Sequence, residues 1–455
     1  MRKYFLSGLT YILTYLSLTL TSCVEDPFSM DSSPNNVLSN DEVSFISHYT
    51  NEKKRISPEQ AANIALTFNP VTRSTEVNIT GIDAILKHDI EFCGDSILSL
   101  LPDTLVYLIN TDDGFCTAIP ADNRVSTRIL GHIPQSQIYN IKDETSWNIK
   151  DMIYHMFTNT VISEICNYES RKDSVKATLL EKLNLSESTF TRARQDPYYT
   201  PDDYDFLTVY GNTTQHQVAL CNPMTPWPWF QGFPYNRFVR HKQSCGTVPV
   251  GCVPLAMGLI MTYWGHPRTI DGHSMNWNLM RDDFSSTDST LIGAVDIAYL
   301  MQRIGDSIVT NYQCDGSAAG CFNGISWLHN HGYQGGSQSY FNYDDVKNSL
   351  NSGKPVLISG DTEDPNSGHA WVIDGYKEIR HDTQMLIYAI NKRTGQQTLI
   401  HEGLVHNYQY YLCNNFGNYD AESWISSMNY SCFQFEEYGD VYQYNLTIYT
   451  EISPY

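Results

Sequence analysis

The stretch VPVGCVPLAMGLIMTYWGHP, residues 248–267, sets the organisation of the second half of the chain. A Gly-Cys pair opens an apolar run that predicts a buried helix, and Gly265 and Pro267 close it. Cys252 is therefore expected on the first turn of that helix, where unpaired N–H groups and the helix dipole stabilise a thiolate. A buried cysteine is more often a small apolar residue. Cys252 is a candidate nucleophile only if an imidazole elsewhere can pair with it.

The composition describes an exported globular protein. The chain has 455 residues and a net charge of −21, from 29 basic and 50 acidic residues, which argues against nucleic acid as a partner. Residues 1–22 have a basic start and an apolar run too short for a membrane span, so they predict a signal peptide. Leu20-Thr21-Ser22-Cys23 resembles a bacterial lipobox, whose cysteine becomes lipidated. The alternative is an ordinary signal peptide with an incidental cysteine.

We therefore expect an exported bacterial lipoprotein at the outer membrane or cell surface. Its lipid on Cys23 would be its sole membrane contact, and processing could release a free form. Ten cysteines remain after Cys23, and none has a CxxC or Cys/His metal spacing, so no metal and no cofactor are expected. An oxidising compartment permits disulfides, but the spacing does not reveal which cysteines pair.

The chain divides by composition into a tether and two larger parts. Residues 23–50 are polar and predict a tether, and 51–190 predict an α+β domain. In that domain Ser57 and Gln60 form a capping-box pattern around Pro58, and a hairpin signal follows at residues 112–114.

The second part follows an activation linker. Residues 191–205 are charged and proline-containing, which is typical of an exposed segment open to proteolysis. Residues 206–455 begin with helical stretches that include Cys252 and continue with alternating strands and turns. The fold class predicted for this part is α+β, with a helical half followed by an antiparallel β half.

His369 is the candidate partner for the thiol. In NSGHAWVIDGY, residues 366–376, a Ser-Gly pair leaves backbone room before His369, and an apolar strand follows it. Most histidines in such a position are structural. Its place in the β half, 117 residues after the helix-opening Cys252, favours the catalytic interpretation.

Two amides complete the candidate site. Asn415 ends a strand just before Phe416 and Gly417, and its amide could accept the imidazole N–H; Asn414 is one position away, and a β-turn is the alternative. Gln231 lies among aromatic residues in PWPWFQGFPYN, where it could donate to an oxyanion or could be a plain loop residue.

Together these motifs resemble the streptopain family of cysteine peptidases over residues 206–445. In chain order they are WFQGFPYN (229–236), GCV (251–253), NWN (276–278), GHAWVIDG (368–375) and NFG (415–417). Two earlier motifs, SPEQAANIAL (57–66) and GFCTAIPADNRVSTRILG (114–131), resemble the inhibitory propeptide of that family. The resemblance implies a papain-like, two-lobed catalytic domain, helical lobe plus antiparallel β lobe, preceded by a small α+β propeptide domain.

The resemblance also implies roles for the candidate residues. Cys252 matches the nucleophile, His369 the general acid and base, Gln231 the oxyanion hole and Asn415 the residue that orients the imidazole. The substrate-binding positions implied are Gly316, Ser317 and Gly368. The implied function is a secreted cysteine endopeptidase, made as a zymogen, that cleaves proteins or peptides through an acyl-enzyme and is inhibited by its own propeptide.

Three departures from the family pattern bear on activity. A tryptophan usual in the family is absent after Phe416, Pro254 lies in the first turn of the cysteine helix, and Gly258 lies within that helix. The altered segment after Asn415 leaves open a catalytically impaired surface-binding lipoprotein of the same fold. A transglutaminase-like acyltransferase, which also uses a cysteine followed by a histidine, is a further alternative.

Overall fold

The computed structural model describes most of the chain after residue 37. The described residues are 38–49, 55–68, 77–90, 95–139, 149–182, 204–240, 242–284, 290–314, 316–361, 368–417, 421–431 and 446–455. The predicted signal peptide, Cys23 and all but the last two residues of the predicted linker lie outside them. None of the helices in this described part is long and apolar enough to cross a membrane.

The helices and strands follow the α+β pattern predicted. The helices are α1 Asn40–Tyr49, α2 Pro58–Thr67, α3 Asp95–Leu98, α4 Ser136–Tyr139, α5 Ile149–Lys182, α6 Cys252–Trp264, α7 Trp277–Asp282, α8 Ile292–Ser307, α9 Cys321–Asn330, α10 Tyr343–Asn351 and α11 Met428–Ser431. The strands are β1 Ile79–Leu86, β2 Thr104–Thr111, β3 Phe115–Pro120, β4 Gly131–Pro134, β5 Tyr204–Cys221, β6 Lys242–Gln243, β7 Gly246–Thr247, β8 Thr269–Ile270, β9 His273–Ser274, β10 Tyr333–Gln334, β11 Ser337–Tyr340, β12 Val356–Asp361, β13 Gly368–Asn391, β14 Gln397–Asn415, β15 Ser423–Ser426, β16 Thr447–Thr450 and β17 Ser453–Pro454.

One antiparallel sheet runs through both large parts of the chain. Its strand order is β1-β2-β3-β4-β15-β14-β13-β12-β16-β11, and β5 pairs with the distal length of β13. The N-terminal region (described residues 38–182) supplies β1 to β4, and β4 pairs with β15 of the C-terminal part. The sheet is therefore completed across the predicted domain boundary.

The predicted α+β content of the N-terminal region is confirmed. Helix α2 begins with the predicted capping box, since the Gln60 N–H donates to Ser57 Oγ and the Ser57 N–H donates to Gln60 Oε1. Strands β2 and β3 form the predicted hairpin. The region does not enclose a separate core, however, because Phe157 of α5 lies in one apolar cluster with Trp371 and Phe416.

The C-terminal part has the predicted order of a helical lobe followed by a β lobe. The helical lobe, residues 227–333, packs around an apolar core at α6, whose second to eleventh residues are buried, and strands β12 and β13 contribute Leu357 and Val372 to that core. Gly265 ends α6 in the left-handed conformation, as the sequence indicates. Gly258 lets α6 pack closely against Met301 and Trp229, which offsets the low helix propensity of glycine. The β lobe consists of β5 and residues 337–455.

Candidate active site

Cys252 is the first residue of α6, as predicted. The helix starts from Gly251, whose φ of 94° is a conformation that favours glycine. A side chain at Gly251 would also crowd the Ser317 carbonyl, 3.0 Å from its Cβ position. Pro254 lies in the first turn, where its missing N–H has no partner within the helix, so this proline does not interrupt α6.

The start of α6 and the start of β13 lie close together where the two lobes join. Cys252 Sγ accepts a hydrogen bond from the backbone N–H of Ala370, the residue directly after His369 in β13. Ala370 and Val372 pack with Val253 and Leu255 in the core of the helical lobe. The predicted pairing of the helix-opening cysteine with the strand-opening histidine is therefore supported by the placement of their backbones.

His369 is buried and its ring is fixed on both sides. Its Nε2 lies 3.0 Å from the carbonyl oxygen of Phe416, and its ring stacks on Trp371 at 5.9 Å between centroids. Because a carbonyl only accepts, Nε2 carries the proton and Nδ1 is the basic nitrogen of the neutral ring. The rings of Trp371 and Phe416, 5.5 Å apart, shield this bond.

Burial controls the protonation of both groups. Burial raises the pKa of the Cys252 thiol, although N–H bonds from Ala370, Val253 and Cys252 itself act in the opposite direction. Burial lowers the pKa of His369 to about 4, opposed by the bond to Phe416. The sequence predicted a thiol pKa lowered by the helix terminus. The structure gives the opposite direction, because desolvation outweighs the few N–H dipoles, and it favours the neutral thiol and neutral imidazole.

Asn415 does not contact His369 directly. Its Nδ2 donates to the carbonyls of Thr225 (2.7 Å) and Trp227 (3.0 Å), and its Oδ1 accepts the N–H of Gly417. The predicted hydrogen bond from the imidazole to the Asn415 amide is therefore wrong, since the backbone of Phe416 accepts it. Asn415 can still orient His369 indirectly, because its bond to Gly417 spans Phe416.

The side chain of Asn414 forms hydrogen bonds with residues other than His369. Its Oδ1 accepts Trp371 Nε1–H at 2.9 Å and the Tyr430 hydroxyl at 2.5 Å. Asn414 thus holds the indole that stacks on His369, which is a supporting contact that the sequence did not indicate.

The backbone of Gln231 is bonded to the segment that leads to Cys252. Its backbone carbonyl accepts the N–H of Val250 at 3.0 Å, two residues before Cys252, and the residue is buried. The preceding Trp229 and Phe230 are buried in the helical lobe. This anchoring is consistent with the oxyanion role predicted for Gln231, which stays a prediction.

The predicted substrate loop borders the cysteine. Ser317 is buried and its Oγ donates to the Pro249 carbonyl at 2.7 Å, so its hydroxyl supports the segment that leads to Cys252. Gly316 precedes it with a positive φ, and Gly368 pairs with Asp361 at the edge of β13. A disulfide between Cys245 and Cys314 ties this loop to the segment before α6. That pairing could not be inferred from cysteine spacing.

Asp374 is a buried acid that sequence reasoning missed. Its Oδ2 accepts both the N–H (2.8 Å) and the hydroxyl (2.7 Å) of Thr225. Burial raises the pKa of Asp374 to about 6, and the Thr225 bonds oppose this shift. A polar residue within the apolar run HAWVIDG was the available signal, because a buried carboxylate requires partners.

The region of this site is similar to known proteins. A model of the Peptidase C10 family matches residues 229–392. A prointerpain A fragment from Prevotella intermedia is 17% identical and is similar over 77% of this chain and 96% of its own, with a TM-score of 0.43. Active interpain A from the same organism is 18% identical over 51% of this chain and 95% of its own, with a TM-score of 0.34. A search of curated proteins gave no match.

The matched region begins two residues before Gln231 and contains both Cys252 and His369. Residues 229–392 of this chain are thus similar to the Peptidase C10 family, the streptopain family of cysteine-type peptidases.

Proposed function

We propose that this chain is a secreted cysteine endopeptidase, made as a zymogen, that cleaves peptide bonds through a Cys252–His369 dyad. The observation that carries the proposal is the contact of the Cys252 sulfur with the N–H of Ala370, beside a histidine whose Nε2–H is held by Phe416. A nucleophile, a base and a group that orients the base are the components that such catalysis requires.

The proposed reaction proceeds in two stages. His369 takes the thiol proton as Cys252 attacks the peptide carbonyl, and a C–S bond forms while Gln231 and the Cys252 N–H hold the oxyanion. His369 then gives its proton to the leaving amine as the C–N bond breaks. Water, deprotonated by His369, attacks the acyl-enzyme, the C–S bond breaks, and the acid product leaves. Gly316, Ser317 and Gly368 would border the bound peptide.

Residues 51–190 would act as an intramolecular inhibitor. Their described part supports this role because it docks on the lobe that holds His369. Strand β4 extends the sheet at β15, and Thr160 Oγ1 donates to Asn429 Oδ1 in a buried contact. Cleavage within residues 191–203 would release this region and leave β5 paired with β13. Export and lipidation at Cys23 are part of the proposal and rest on the sequence alone.

The test is hydrolysis and active-site labelling of three matched proteins. The unsubstituted chain should cleave casein and lose its N-terminal region, and a thiol-directed epoxide should label it. Cys252→Ala should abolish all three properties. Cys321→Ala is the matched control, because Cys321 also opens a helix, α9, in the same lobe and is expected to be dispensable.

Casein cleavage by Cys252→Ala would contradict the proposal. No labelling of the folded, unsubstituted chain would favour the impaired surface-binding lipoprotein. Incorporation of an amine into a glutamine-containing protein, without hydrolysis, would favour the acyltransferase.

A further inference from the structure

The segment that leads to Gln231 is fastened to the β lobe by two buried side chains. Met224 N–H donates to the backbone oxygen of Asp374 at 3.1 Å, and Thr225 donates twice to its carboxylate, at 2.8 and 2.7 Å. From the other side, Asn415 Nδ2 donates to the carbonyls of Thr225 and Trp227. Thr225, Asp374 and Asn415 are all fully buried, so these bonds are not exchanged with water.

Both side chains belong to the strands that build the histidine site. Asp374 is five residues after His369 in β13, and Asn415 directly precedes Phe416, whose carbonyl holds the imidazole. The pairing register of β13 with β14 shifts between Ile373 and Gly375, so Asp374 occupies a bulge. A bulge re-aims the side chain that it contains, here toward Thr225.

The fastened segment is stiff between Thr225 and Gln231. Pro226 and Pro228 fix two φ angles, and Trp229 and Phe230 are anchored in the helical lobe. A displacement at Thr225 is therefore transmitted along the chain to Gln231. The segment crosses from the lobe of the histidine to the lobe of the cysteine, which makes it the link between the two halves of the site.

We propose that Asp374 and Asn415 are positioning residues that, through Thr225, hold the oxyanion-hole segment of Gln231 in register with His369. This role rests on the proposed function, because it requires Gln231 to stabilise an oxyanion. It differs from a purely structural role in one respect. Loosening the segment weakens only reactions that pass through an oxyanion.

The experiment compares two reactions of Cys252 in protein that is produced as the full chain and has then lost its N-terminal region. Peptide hydrolysis uses the oxyanion hole, whereas alkylation by iodoacetamide, a direct displacement at carbon, does not. Thr225→Val removes one donor to Asp374 without changing the volume much. We expect kcat/KM to fall roughly 10- to 100-fold, less than the roughly 10²–10³-fold loss typical of deleting an oxyanion donor outright. The alkylation rate should stay within about twofold.

Three controls separate positioning from general damage. Thr225→Ser keeps the hydroxyl and should restore hydrolysis. Ser349→Ala removes a buried hydroxyl that bonds Lys354 and Glu451 elsewhere in the β lobe, so it should lower stability without the split between the two reactions. In a Gln231→Ala background, Thr225→Val should cost less than about threefold, because the two changes act on one interaction.

The proposal is overturned if Thr225→Val leaves hydrolysis unchanged, if alkylation falls in parallel with hydrolysis, or if its effect multiplies fully with that of Gln231→Ala. Should Thr225→Val not fold, Asp374→Asn replaces it and must show the same split. If the unsubstituted chain alkylates but hydrolyses no peptide, the proposed function itself has failed, and the positioning role falls with it.

Discussion

The buried ring of Phe68 predicts how strongly the N-terminal region is attached to the catalytic part. It follows α2, is 5% exposed, and its ring lies 5.0 Å from both Tyr411 and His132 and 4.8 Å from Lys377 Nζ. Tyr411 and Lys377 belong to the β lobe, so the ring spans the predicted domain boundary. An aromatic side chain buries about 150–250 Å², worth roughly 4–6 kcal/mol at ~25 cal/mol per Å². Measured Phe→Ala losses of about 3–5 kcal/mol agree with this range.

We expect Phe68→Ala to lower the free energy of unfolding by about 4 kcal/mol, which is close to a thousandfold in the unfolding equilibrium. The measurement is urea unfolding in a Cys252→Ala background, which prevents self-cleavage. Leu66→Ala is the matched control, because Leu66 lies on the same helix but is 46% exposed, and it should change stability by less than about 0.5 kcal/mol. In the catalytically competent chain, Phe68→Ala should speed loss of the N-terminal region.

Equal stability of the Phe68→Ala and Leu66→Ala proteins would refute this reasoning. It would mean that the ring contacts with Tyr411 and Lys377 do not hold the two regions together. Faster maturation with Leu66→Ala than with Phe68→Ala would contradict the link between docking and latency.

Three further outcomes follow from the disulfide and the dyad. Replacing Cys245 and Cys314 together with Ala should lower the free energy of unfolding by about 4 kcal/mol, since the bridge closes a 69-residue separation; urea unfolding without reductant measures this. The pKa of His369 is lowered to about 4, so its contribution to stability is present above pH 6.5 and is lost as the pH falls to 4. The Cys252→Ala protein should therefore lose about 3 kcal/mol more over that range than Cys252→Ala/His369→Gln, by urea unfolding at each pH. Because burial raises the pKa of Cys252, iodoacetamide should label the uncleaved chain slowly at pH 7, with a rate that climbs as the pH rises. A labelling rate that does not change above pH 7 would contradict this interpretation.

Local signals predicted the elements that carry the site. The start of α6 at Cys252, its end at Gly265 and the capping box at Ser57 each depend on residues within one or two turns, and all three are confirmed. The strand behind His369 was equally visible from its apolar run. Helix α5, at 34 residues the longest in the described chain, was not assigned, because its apolar residues do not fall on one continuous face.

The contacts that orient the dyad could not be predicted. The acceptor for His369 is the backbone of Phe416, and a carbonyl has no residue-type signature. The direction of the Cys252 pKa depends on how deeply the sulfur is buried, which is set by the packing of two lobes distant in sequence. The bulge at Asp374 likewise depends on the pairing register of β13 with β14 rather than on local propensity.

Cys252 packs against one apolar core, whereas Trp371 and Phe416, which hold His369, belong to another, and this has a consequence for latency. Within the described residues, the apolar core around Cys252 contains no side chain from the N-terminal region. The core of the β lobe contains many, and it includes Phe416, whose ring packs in the same cluster as Phe157 and whose carbonyl holds His369. Contacts made by the N-terminal region therefore act directly on the core that holds the acceptor of His369. They act only indirectly on the core around Cys252. Asn415 bonds both to Gly417, just beyond Phe416, and to Thr225. A displacement of Phe416 would therefore also reach the segment that carries Gln231. Release of the N-terminal region should therefore shift His369 and the segment of Gln231 together, while α6 stays in place.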